Sequence, residues 1–222
     1  MTPQAPTAAI EDYTKAIFAL QERDAGAVTT TALAARLGVT PGSVSAMLKK
    51  LDAAGLVAHE PYRGVRLTPK GRRVALEVMR HHRLIELFLA EVLDMPWDRV
   101  HDEAEVLEHV LSEELEALIA AKLGHPTEDP HGDPIPSAEL ELPEPTGVPL
   151  EDLEPGDAGR FARVSDADPE MLRWLADRAV RPGDHLEVLD KQPFGGPLTV
   201  RVEDAVHVLG GGIAAAMRIE LD

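Results

Sequence analysis

The chain has 222 residues, a net charge of −17 and no cysteine. Without cysteine it cannot form disulfides, thiolate metal sites, iron–sulfur clusters or a cysteine nucleophile. It also lacks an apolar run near the roughly 20 residues that span a bilayer and the features of a signal peptide, so we expect a cytoplasmic protein without a membrane partner.

The acidic charge is distributed unevenly along the chain. Residues 1–73 carry ten Lys or Arg against six Asp or Glu, whereas residues 74–222 carry twelve against thirty-three. Residues 40–73 alone contain seven basic and two acidic side chains. Binding to phosphates requires a local basic surface and not a basic protein. The N-terminal third therefore remains a candidate for binding double-stranded DNA.

The first predicted domain, residues 1–73, has the pattern of a winged helix-turn-helix. Apolar spacing predicts an amphipathic helix from Ile10 to Leu20. Two short helices follow, one capped by the threonines at 29–31 and one after the turn at 38–41, and together they form a helix-turn-helix. Two short strands around Tyr62-Arg63-Gly64 would form the wing. The alternative is a helical bundle with a hairpin.

The second predicted domain, residues 74–141, is helical. Apolar periodicity predicts helices over Val74–Leu93 and Val100–Lys122, separated by Met95-Pro96-Trp97. These helices carry more apolar side chains than one helix pair can bury. Such a surplus usually indicates self-association, so we expect a homodimer.

A proline-rich segment precedes the third predicted domain. Eight prolines between Gly124 and Pro155 favour a semi-extended connection without regular structure, and we assign residues 142–155 as the linker proper. Residues 156–222 contain five β-type runs, the last over Ala214–Leu221, and one short helix near Pro169–Arg178. Gly-rich turns between the runs are typical of a small β-barrel. The fold class is therefore α+β.

The segment from His101 to Leu115 carries the most specific chemical pattern. Glu105, Glu108 and His109 fall at positions i, i+3 and i+4 of the predicted helix, and His101 lies one turn earlier. Two carboxylates and an imidazole on one helix face suit a divalent transition metal. The alternative is a solvated acidic face that happens to carry histidines.

A second pair strengthens the metal hypothesis. His82 and Glu86 are i, i+4 partners on another predicted helix. Oxygen and imidazole ligands suit Mn²⁺, Fe²⁺, Zn²⁺ or Co²⁺ better than Cu⁺. The remaining histidines lack a partner at ligand spacing and are interpreted as ordinary polar residues: His59, His81, His125, His131, His185 and His207.

The whole chain resembles the diphtheria toxin repressor family, which are metal-dependent transcriptional repressors of bacteria. The likeness rests on motifs in one order: EDY, SVSxMLKKLDxxGL, YRGVRLTPKG, HRLIExFL, HDEAExxEHxLS and a PIP segment. Within the family the chain looks most similar to manganese transport regulators with three domains. The resemblance implies a winged helix-turn-helix, a helical dimerisation and metal-binding domain, and a C-terminal SH3-like small β-barrel.

The resemblance also implies two metal sites per subunit, filled by Mn²⁺ or Fe²⁺. The primary ligands would be Asp12, Glu105, Glu108 and His109. Carboxylates replace a Met and a Cys of the iron-type members at the first two positions, which favours Mn²⁺. The ancillary ligands would be His82, Glu86 and His101, with Asp168 or alternatively Asp166 from the third domain. Asp168 could instead only cap the helix that follows it.

Lys15 departs from the pattern of some two-domain manganese regulators. Those proteins have a Glu three residues after the first-helix Asp, and this chain has Lys15 there. We therefore expect one primary and one ancillary metal rather than a binuclear primary centre.

Recognition of DNA is expected from the second helix of the helix-turn-helix and from the wing. The residues expected near bases are Thr40, Pro41, Gly42, Ser43, Ser45 and Ala46, and those near phosphates are Lys49, Lys50, Arg63 and Arg66. A dimer implies a palindromic operator with half-sites one or more helical turns apart. Metal would relieve the repulsion among converging carboxylates and so favour the DNA-binding conformation.

The sequence also bears on two other classes of function. A hydrolytic metalloenzyme is disfavoured because the chain lacks HExxH, GxSxG and P-loop patterns, and we expect no small organic substrate. A winged-helix regulator with a non-metal effector stays open, with the acidic cluster as a purely structural feature.

Overall fold

The computed structural model describes residues 7–24, 26–60, 64–144 and 146–222. The chain forms two compact units, and each is described by itself. The first unit consists of Met1–His82, Leu107–Ser112 and Pro136–Leu142. The second consists of Arg83–Val106, Glu113–Ile135 and Pro143–Asp222.

A winged helix-turn-helix occupies most of the first unit, as the sequence predicts. Its elements are α1 (Ala8–Asp24), α2 (Thr30–Leu37), α3 (Pro41–Ala53), β1 (Val57–Glu60) and β2 (Gly64–Leu67). The two strands pair antiparallel, which confirms the predicted hairpin. The expected tip of the wing, residues 61–63, lies outside the described residues.

Local signals explain where these short helices begin and end. The Thr29 hydroxyl accepts a hydrogen bond from the Ala32 amide, and the Thr40 hydroxyl accepts one from the Ser43 amide. Each satisfies an amide that has no partner within its helix. Gly38 ends α2 with φ 65°, a left-handed conformation that glycine adopts without steric cost.

The core of this motif is formed by the apolar faces of its helices. Fully buried side chains include Ile17, Leu33, Val44, Leu51 and Val65. Met47 of α3 packs against this core and is only partly buried. Burial of one face of α3 leaves its opposite face exposed to solvent.

Three further helices follow the wing: α4 (Pro69–Val92), α5 (Val100–Leu107) and α6 (Glu113–Lys122). Helix α4 begins five residues before the predicted start, with Thr68 accepting a hydrogen bond from the Gly71 amide. The predicted single helix over Val100–Lys122 is wrong, since residues 108–112 separate α5 from α6. Serine, here Ser112, is favoured directly before a helix, and acidic residues are favoured in its first turn. Three acidic residues occupy the first turn of α6.

The C-terminal part of the second unit contains one six-stranded sheet. Its strands are β3 (Val148–Pro149), β4 (Ala158–Val164), β5 (His185–Lys191), β6 (Leu198–Val202), β7 (Ala205–Leu209) and β8 (Met217–Leu221). The order is β3-β8-β4-β5-β6-β7, with every neighbouring pair antiparallel. Among the described residues β3 and β7 are edge strands, so the sheet is SH3-like without closing into a full barrel.

Two helices accompany this sheet: α7 (Pro169–Ala176) and α8 (Gly211–Ala216). The first was predicted. The second replaces the start of the predicted strand over Ala214–Leu221, which begins only at Met217. Buried side chains from both helices and from the strands form one core, including Phe161, Leu175, Leu186, Ala214 and Met217.

The proline-rich segment is more ordered than its composition predicts. Strand β3 and a short 3-10 helix, Leu150–Asp152, lie within the expected linker. Leu150 and Leu153 are buried in the core of the sheet. Upstream, Glu128 forms a bridge with Pro134, and Ile135 is buried. Long-range contacts therefore order a segment that local propensity would leave irregular.

Within the described part of the chain, none of the helices has the length and apolarity needed to cross a membrane.

Candidate metal centres and DNA-binding surface

The first cluster lies within the first compact unit and joins α1 to residues 108–109. His109 Nδ1 lies 2.6 Å from Glu11 Oε2, and its Nε2 lies 3.0 Å from Asp12 Oδ1. One possible ligand atom from each of Asp12, Glu108 and His109 lies within 4.8 Å of the others. Oxygen and nitrogen donors from distant parts of the sequence therefore converge on one point, which suits a divalent transition metal.

Glu108 is the buried centre of this cluster. Its side chain is fully buried, and a buried carboxylate is costly without charged or hydrogen-bonding partners. The Lys15 ammonium donates to both of its oxygens at 2.7 and 2.8 Å, and His82 Nδ1 lies 2.5 Å from Oε2. The Glu108 backbone carbonyl accepts from His81 Nδ1 at 3.2 Å. Together with His109, whose Nε2 lies 3.6 Å from Glu108 Oε1, four cationic or imidazole side chains thus surround one proposed ligand.

The contacts of Glu105 and His82 differ from those that the predicted ligand sets imply. Helix α5 ends at Leu107, so Glu108 and His109 lie beyond its end. The helical spacing that would place them on one face with Glu105 therefore does not apply. The Glu105 side chain is 42% exposed and lies 3.9 Å from His101 Nε2. His82, expected at the ancillary site, contacts the primary-site carboxylate Glu108.

A second cluster lies within the second compact unit. His101 Nδ1 lies 3.2 Å from Glu86 Oε1 and 3.2 Å from Asp166 Oδ2. Glu86 is buried on α4, and Asp166 lies shortly before α7. Hydrogen bonds to Asp166 and to Glu86 raise the pKa of His101 to about 10, although burial opposes this shift. Carboxylates from two parts of the unit thus meet one imidazole.

Asp168 does not take the position that the sequence analysis preferred for it. Its carboxylate accepts hydrogen bonds from the Glu170 and Met171 amides at 2.9 and 3.2 Å and so caps α7. Asp166, the alternative, is the carboxylate that contacts His101. Capping requires the residue immediately before the helix, so the Asp168 carboxylate caps α7. Asp166 lies two residues earlier, and its carboxylate contacts His101 of the cluster instead.

Sequence reasoning missed the contribution of the proline-rich segment to this cluster. His131 is completely buried, and its Nδ1 lies 4.0 Å from Glu86 Oε2. One possible ligand atom from each of Glu86, His131 and Asp166 lies within 4.8 Å of the others. The available signal was the alternation Asp-x-His-x-Asp at residues 129–133, inside a segment interpreted as a connection.

The two aspartates of that alternation hold the segment in place. Asp129 Oδ1 accepts hydrogen bonds from the His131 and Asp133 amides at 2.8 and 3.0 Å. Burial, followed by the charges of Asp133 and Glu86, raises the pKa of Asp129 well above its usual range. The Arg83 guanidinium lies within 3.7 Å of Asp129 and 3.4 Å of Asp133. Its positive charge partly offsets the concentration of acidic groups.

The expected DNA-contacting residues lie on the exposed surface of the winged helix-turn-helix. The exposed residues of this group are Thr40, Pro41, Gly42, Ser43, Ser45, Ala46, Lys49, Lys50 and Arg66. Arg63 lies outside the described residues. The Ser45 hydroxyl donates to the Pro41 carbonyl at 2.9 Å, and the Thr40 hydroxyl caps α3. The first turn of α3 is therefore both rigid and accessible.

Exposed apolar side chains on α5 and α6 accord with the expectation of self-association. Val106 is 68% exposed, Leu115 48% and Leu118 61%. By contrast, Leu84, Leu87 and Ile119, which lie in the same predicted helices, are buried.

Three family models match successive parts of the chain. The iron-dependent repressor N-terminal DNA-binding domain matches residues 6–65, and the metal-binding and dimerisation domain of the same repressors matches residues 68–137. The FeoA domain matches residues 148–221. The order of the models is that of the predicted domains.

Individual relatives span almost the whole chain. The diphtheria toxin repressor of Corynebacterium efficiens is 32% identical over 221 residues, covering 95% of this chain and 94% of the relative. The iron-dependent repressor IdeR of Mycobacterium tuberculosis is 32% identical over 222 residues, covering 95% and 96%.

Solved structures of manganese-responsive proteins are also similar. A manganese-dependent transcriptional repressor in complex with manganese has 44% identity and a TM-score of 0.87, with 96% of this chain and 100% of that chain covered. The manganese regulator SloR has 30% identity and a TM-score of 0.74, with 99% and 100% covered.

The fold and the clusters define a metal-dependent DNA-binding transcriptional regulator. The chain belongs to the iron-dependent repressor family, which includes the diphtheria toxin repressor and has both iron- and manganese-dependent members. The expected family and fold class are thereby confirmed. Its DNA-binding and dimerisation domains are those of a repressor that binds DNA as a homodimer, and the family is one of regulators and not of enzymes.

Proposed function

We propose that this protein is a Mn²⁺-responsive repressor that acts in the cytoplasm and binds a palindromic operator as a homodimer. The observation that carries the proposal is the convergence of Asp12, Glu108 and His109 in the first cluster. Its donors are oxygen and imidazole nitrogen without sulfur, because the chain contains no cysteine. Hard donors of this kind suit Mn²⁺.

Fe²⁺ is the second candidate. It accepts the same donors, and the sequence relatives include iron-dependent repressors. The carboxylates at positions 12 and 105 support Mn²⁺ instead, since soft sulfur donors would strengthen the binding of softer ions. Affinity alone favours Zn²⁺ over both, so selectivity would depend on geometry and on metal availability.

We propose two metal sites per subunit. The primary site would use Asp12, Glu105, Glu108 and His109, and the ancillary site would use Glu86, His101 and Asp166. His82 remains a proposed ancillary ligand on the strength of the family resemblance, although it contacts Glu108. Asp166 replaces Asp168 in this set because the Asp168 carboxylate caps α7.

The primary-site residues link metal binding to the DNA-binding motif through α1. Asp12 and Lys15 on α1 contact residues 108–109, and Ile17 on the same helix is buried in the core of the motif. A bound divalent cation supplies positive charge where the carboxylates converge. The side chains of α1 would then hold the winged helix-turn-helix in one orientation. Less conformational entropy is lost when a protein ordered in this way binds DNA.

The DNA-binding surface of the proposed complex is the exposed face of α3 and the wing. The first turn of α3 would meet base edges in the major groove, and Lys49, Lys50 and Arg66 would meet phosphates. Two copies of α3 in a symmetric dimer require two half-sites of opposite orientation, and hence a palindrome.

The proposal is tested by operator binding of two ligand variants. The probe is a DNA duplex selected from a random pool by the wild-type protein in Mn²⁺. Glu108→Ala and His109→Ala should lose Mn²⁺-activated binding while remaining dimeric. Glu114→Ala, which removes an exposed acid from α6, is the matched control and should behave as wild type. Normal Mn²⁺-dependent binding by both ligand variants would show that the site is wrongly placed.

Calorimetry with Mn²⁺ separates this proposal from a regulator with a non-metal effector. A metal sensor should give saturable heat of binding, and Glu108→Ala should reduce it. Absence of any Mn²⁺ binding by the wild-type chain would refute the metal-sensor function.

A further inference from the structure

Glu11 contacts the proposed ligand His109 but has no role in the proposed ligand set. Its carboxylate oxygen Oε2 lies 2.6 Å from His109 Nδ1. Asp12, the next residue of α1, lies 3.0 Å from Nε2 of the same ring. Both contacts fall within the first compact unit. Two neighbouring carboxylates of α1 therefore contact the two nitrogens of one imidazole.

The helical geometry of α1 directs these two carboxylates to different edges of the ring. Successive residues of an α-helix point about 100° apart around its axis. Glu11 lies in the first turn of α1, and its backbone carbonyl accepts a hydrogen bond from the buried Thr14 hydroxyl at 2.9 Å. The backbone that carries Glu11 is therefore anchored in the helix, and its side chain approaches His109 from a defined direction.

The contact between Glu11 and His109 is a short hydrogen bond that is largely shielded from water. An ionised carboxylate only accepts hydrogen bonds, so Nδ1 carries a proton and donates it to Glu11. Both side chains are only 15% exposed, so water competes little for either group. Hydrogen bonds to an ionised acceptor are stronger than those between neutral groups. Glu11 therefore holds the imidazole in one orientation.

With Nδ1 bonded to Glu11, the nitrogen of His109 that can bind a metal is Nε2. This nitrogen lies 3.0 Å from Asp12 Oδ1 and 3.6 Å from Glu108 Oε1, the other acids of the first cluster. Histidines that bind metals commonly donate their second N–H to a carboxylate, which fixes the tautomer and makes the binding nitrogen more basic. The arrangement of Glu11 and His109 has this form.

We propose that Glu11 is a positioning residue of the primary metal site, which holds the His109 imidazole so that Nε2 faces the metal. The proposal rests on the proposed function because it takes His109 as a metal ligand. The two acids of the EDY motif then have different roles, since Asp12 binds the metal and Glu11 orients His109. The competing explanation is that an acid in the first turn only stabilises α1 through the helix dipole.

The first experiment is ¹⁵N NMR of the full-length chain with labelled histidine. Zn²⁺ is the probe because it is diamagnetic and binds imidazole and carboxylate ligands. The His109 resonances are those that disappear in His109→Gln. Saturation with Zn²⁺ should shift Nε2 of His109 and leave Nδ1 protonated, and Glu11→Ala should speed the exchange of the Nδ1 proton with water. Metal bound at Nδ1, or equally slow exchange in Glu11→Ala, would overturn the proposal.

The second experiment measures Mn²⁺ affinity by calorimetry in three variants. Glu11→Ala should weaken binding at the primary site by about 10- to 100-fold and leave the second site unchanged. Glu11→Gln should recover most of this loss, because the amide oxygen can still accept a hydrogen bond from Nδ1. Glu22→Ala removes an exposed acid from the last turn of α1 and should match wild type.

The outcomes separate the role of Glu11 from the proposed function. Wild-type affinity of Glu11→Ala at the primary site would refute the positioning role alone. An equal loss in Glu11→Gln and Glu11→Ala would also refute it, because the charge of Glu11 and not its hydrogen bond would then matter. Absence of Mn²⁺ binding by the wild-type chain would refute both. If Glu11→Ala does not fold, the spectrum of the Zn²⁺-loaded wild-type chain decides.

Discussion

The Lys15 ammonium contacts both carboxylate oxygens of Glu108, 2.7 Å from Oε1 and 2.8 Å from Oε2. The two residues are 93 positions apart, and the Glu108 side chain is fully buried. An internal cation therefore sits on a carboxylate that we propose as a metal ligand. Because like charges repel, Lys15 should compete with a divalent ion for Glu108 and raise the metal concentration that the sensor requires.

Lys15→Met should tighten Mn²⁺ binding at the primary site by at least about 10-fold, since it removes the competing charge. The same change should destabilise the protein in chelator by about 2–3 kcal/mol, because a buried carboxylate loses a charged hydrogen-bond partner. Calorimetry measures the first effect and urea unfolding the second. Lys122→Met, at the exposed end of α6, is the control. Unchanged Mn²⁺ affinity in Lys15→Met would contradict the competition.

Asp166→Ala and Asp168→Ala should have different effects although they lie two residues apart. Asp166→Ala should weaken Mn²⁺ binding at the second site, because this carboxylate contacts His101. Asp168→Ala should leave metal affinity unchanged and cost about 1 kcal/mol of stability through loss of the α7 cap. Calorimetry and thermal unfolding on both variants provide the measurements. The assignment of Asp166 as the ligand and of Asp168 as the cap is wrong if Asp168→Ala impairs metal binding and Asp166→Ala does not.

Gly132→Ala should destabilise the second unit and weaken metal binding at the site that we propose there. The new Cβ would collide with the Ala162 carbonyl, so the turn that carries His131 must move. Gly183→Ala is a matched control with φ +104° and no heavy atom within 4 Å of the added Cβ. It should show only the cost of positive φ, about 1–2 kcal/mol. If Gly132→Ala and Gly183→Ala lose the same stability and the same metal affinity, the close approach of Gly132 to the Ala162 carbonyl is contradicted.

Leu118→Glu should weaken the homodimer without unfolding the protomer. Leu118 is 61% exposed on its own chain, so a charge there costs little until a partner covers it. We expect the dimer dissociation constant to rise at least about 100-fold, measured by light scattering over a concentration series. Val206→Glu alters an exposed apolar residue of β7 and serves as control. A dimer of normal affinity in Leu118→Glu would exclude this face of α6 from the interface.

The parts of the fold that follow from local chemistry were predictable. Thr29 and Thr40 cap the two helices of the DNA-binding motif, and Gly38 ends the first of them, as their residue types indicate. Each signal acts within a few residues, so the sequence suffices. The apolar spacing of α1 and α3 likewise specifies which faces are buried.

The helix over 100–122 could not be divided by periodicity. Apolar residues continue through the break at 108–112, where Glu108 contacts Lys15 of α1 and His82 of α4. These partners lie far away in sequence. Periodicity records the apolar face of a helix and carries no information about such contacts.

The second cluster was also only partly predictable, because its residues come from distant parts of the sequence. Spacing paired His82 with Glu86, but could not choose between Asp166 and Asp168. The alternation Asp-x-His-x-Asp at residues 129–133 contains His131, but the residues near His131, at positions 86, 97 and 166, lie far away in sequence. Proline content predicts local irregularity but not whether long-range contacts order the segment.

The most direct test of the account is the operator affinity of the wild-type protein in saturating Mn²⁺ and in chelator, measured by fluorescence anisotropy at one fixed salt concentration. Because we propose that binding of metal and binding of DNA are coupled through α1, Mn²⁺ should tighten operator binding by at least about 10-fold. The affinity in Mn²⁺ should also fall steeply with added salt, as expected for a basic surface on phosphates. Equal operator affinity in Mn²⁺, in Fe²⁺ and in chelator would contradict the account.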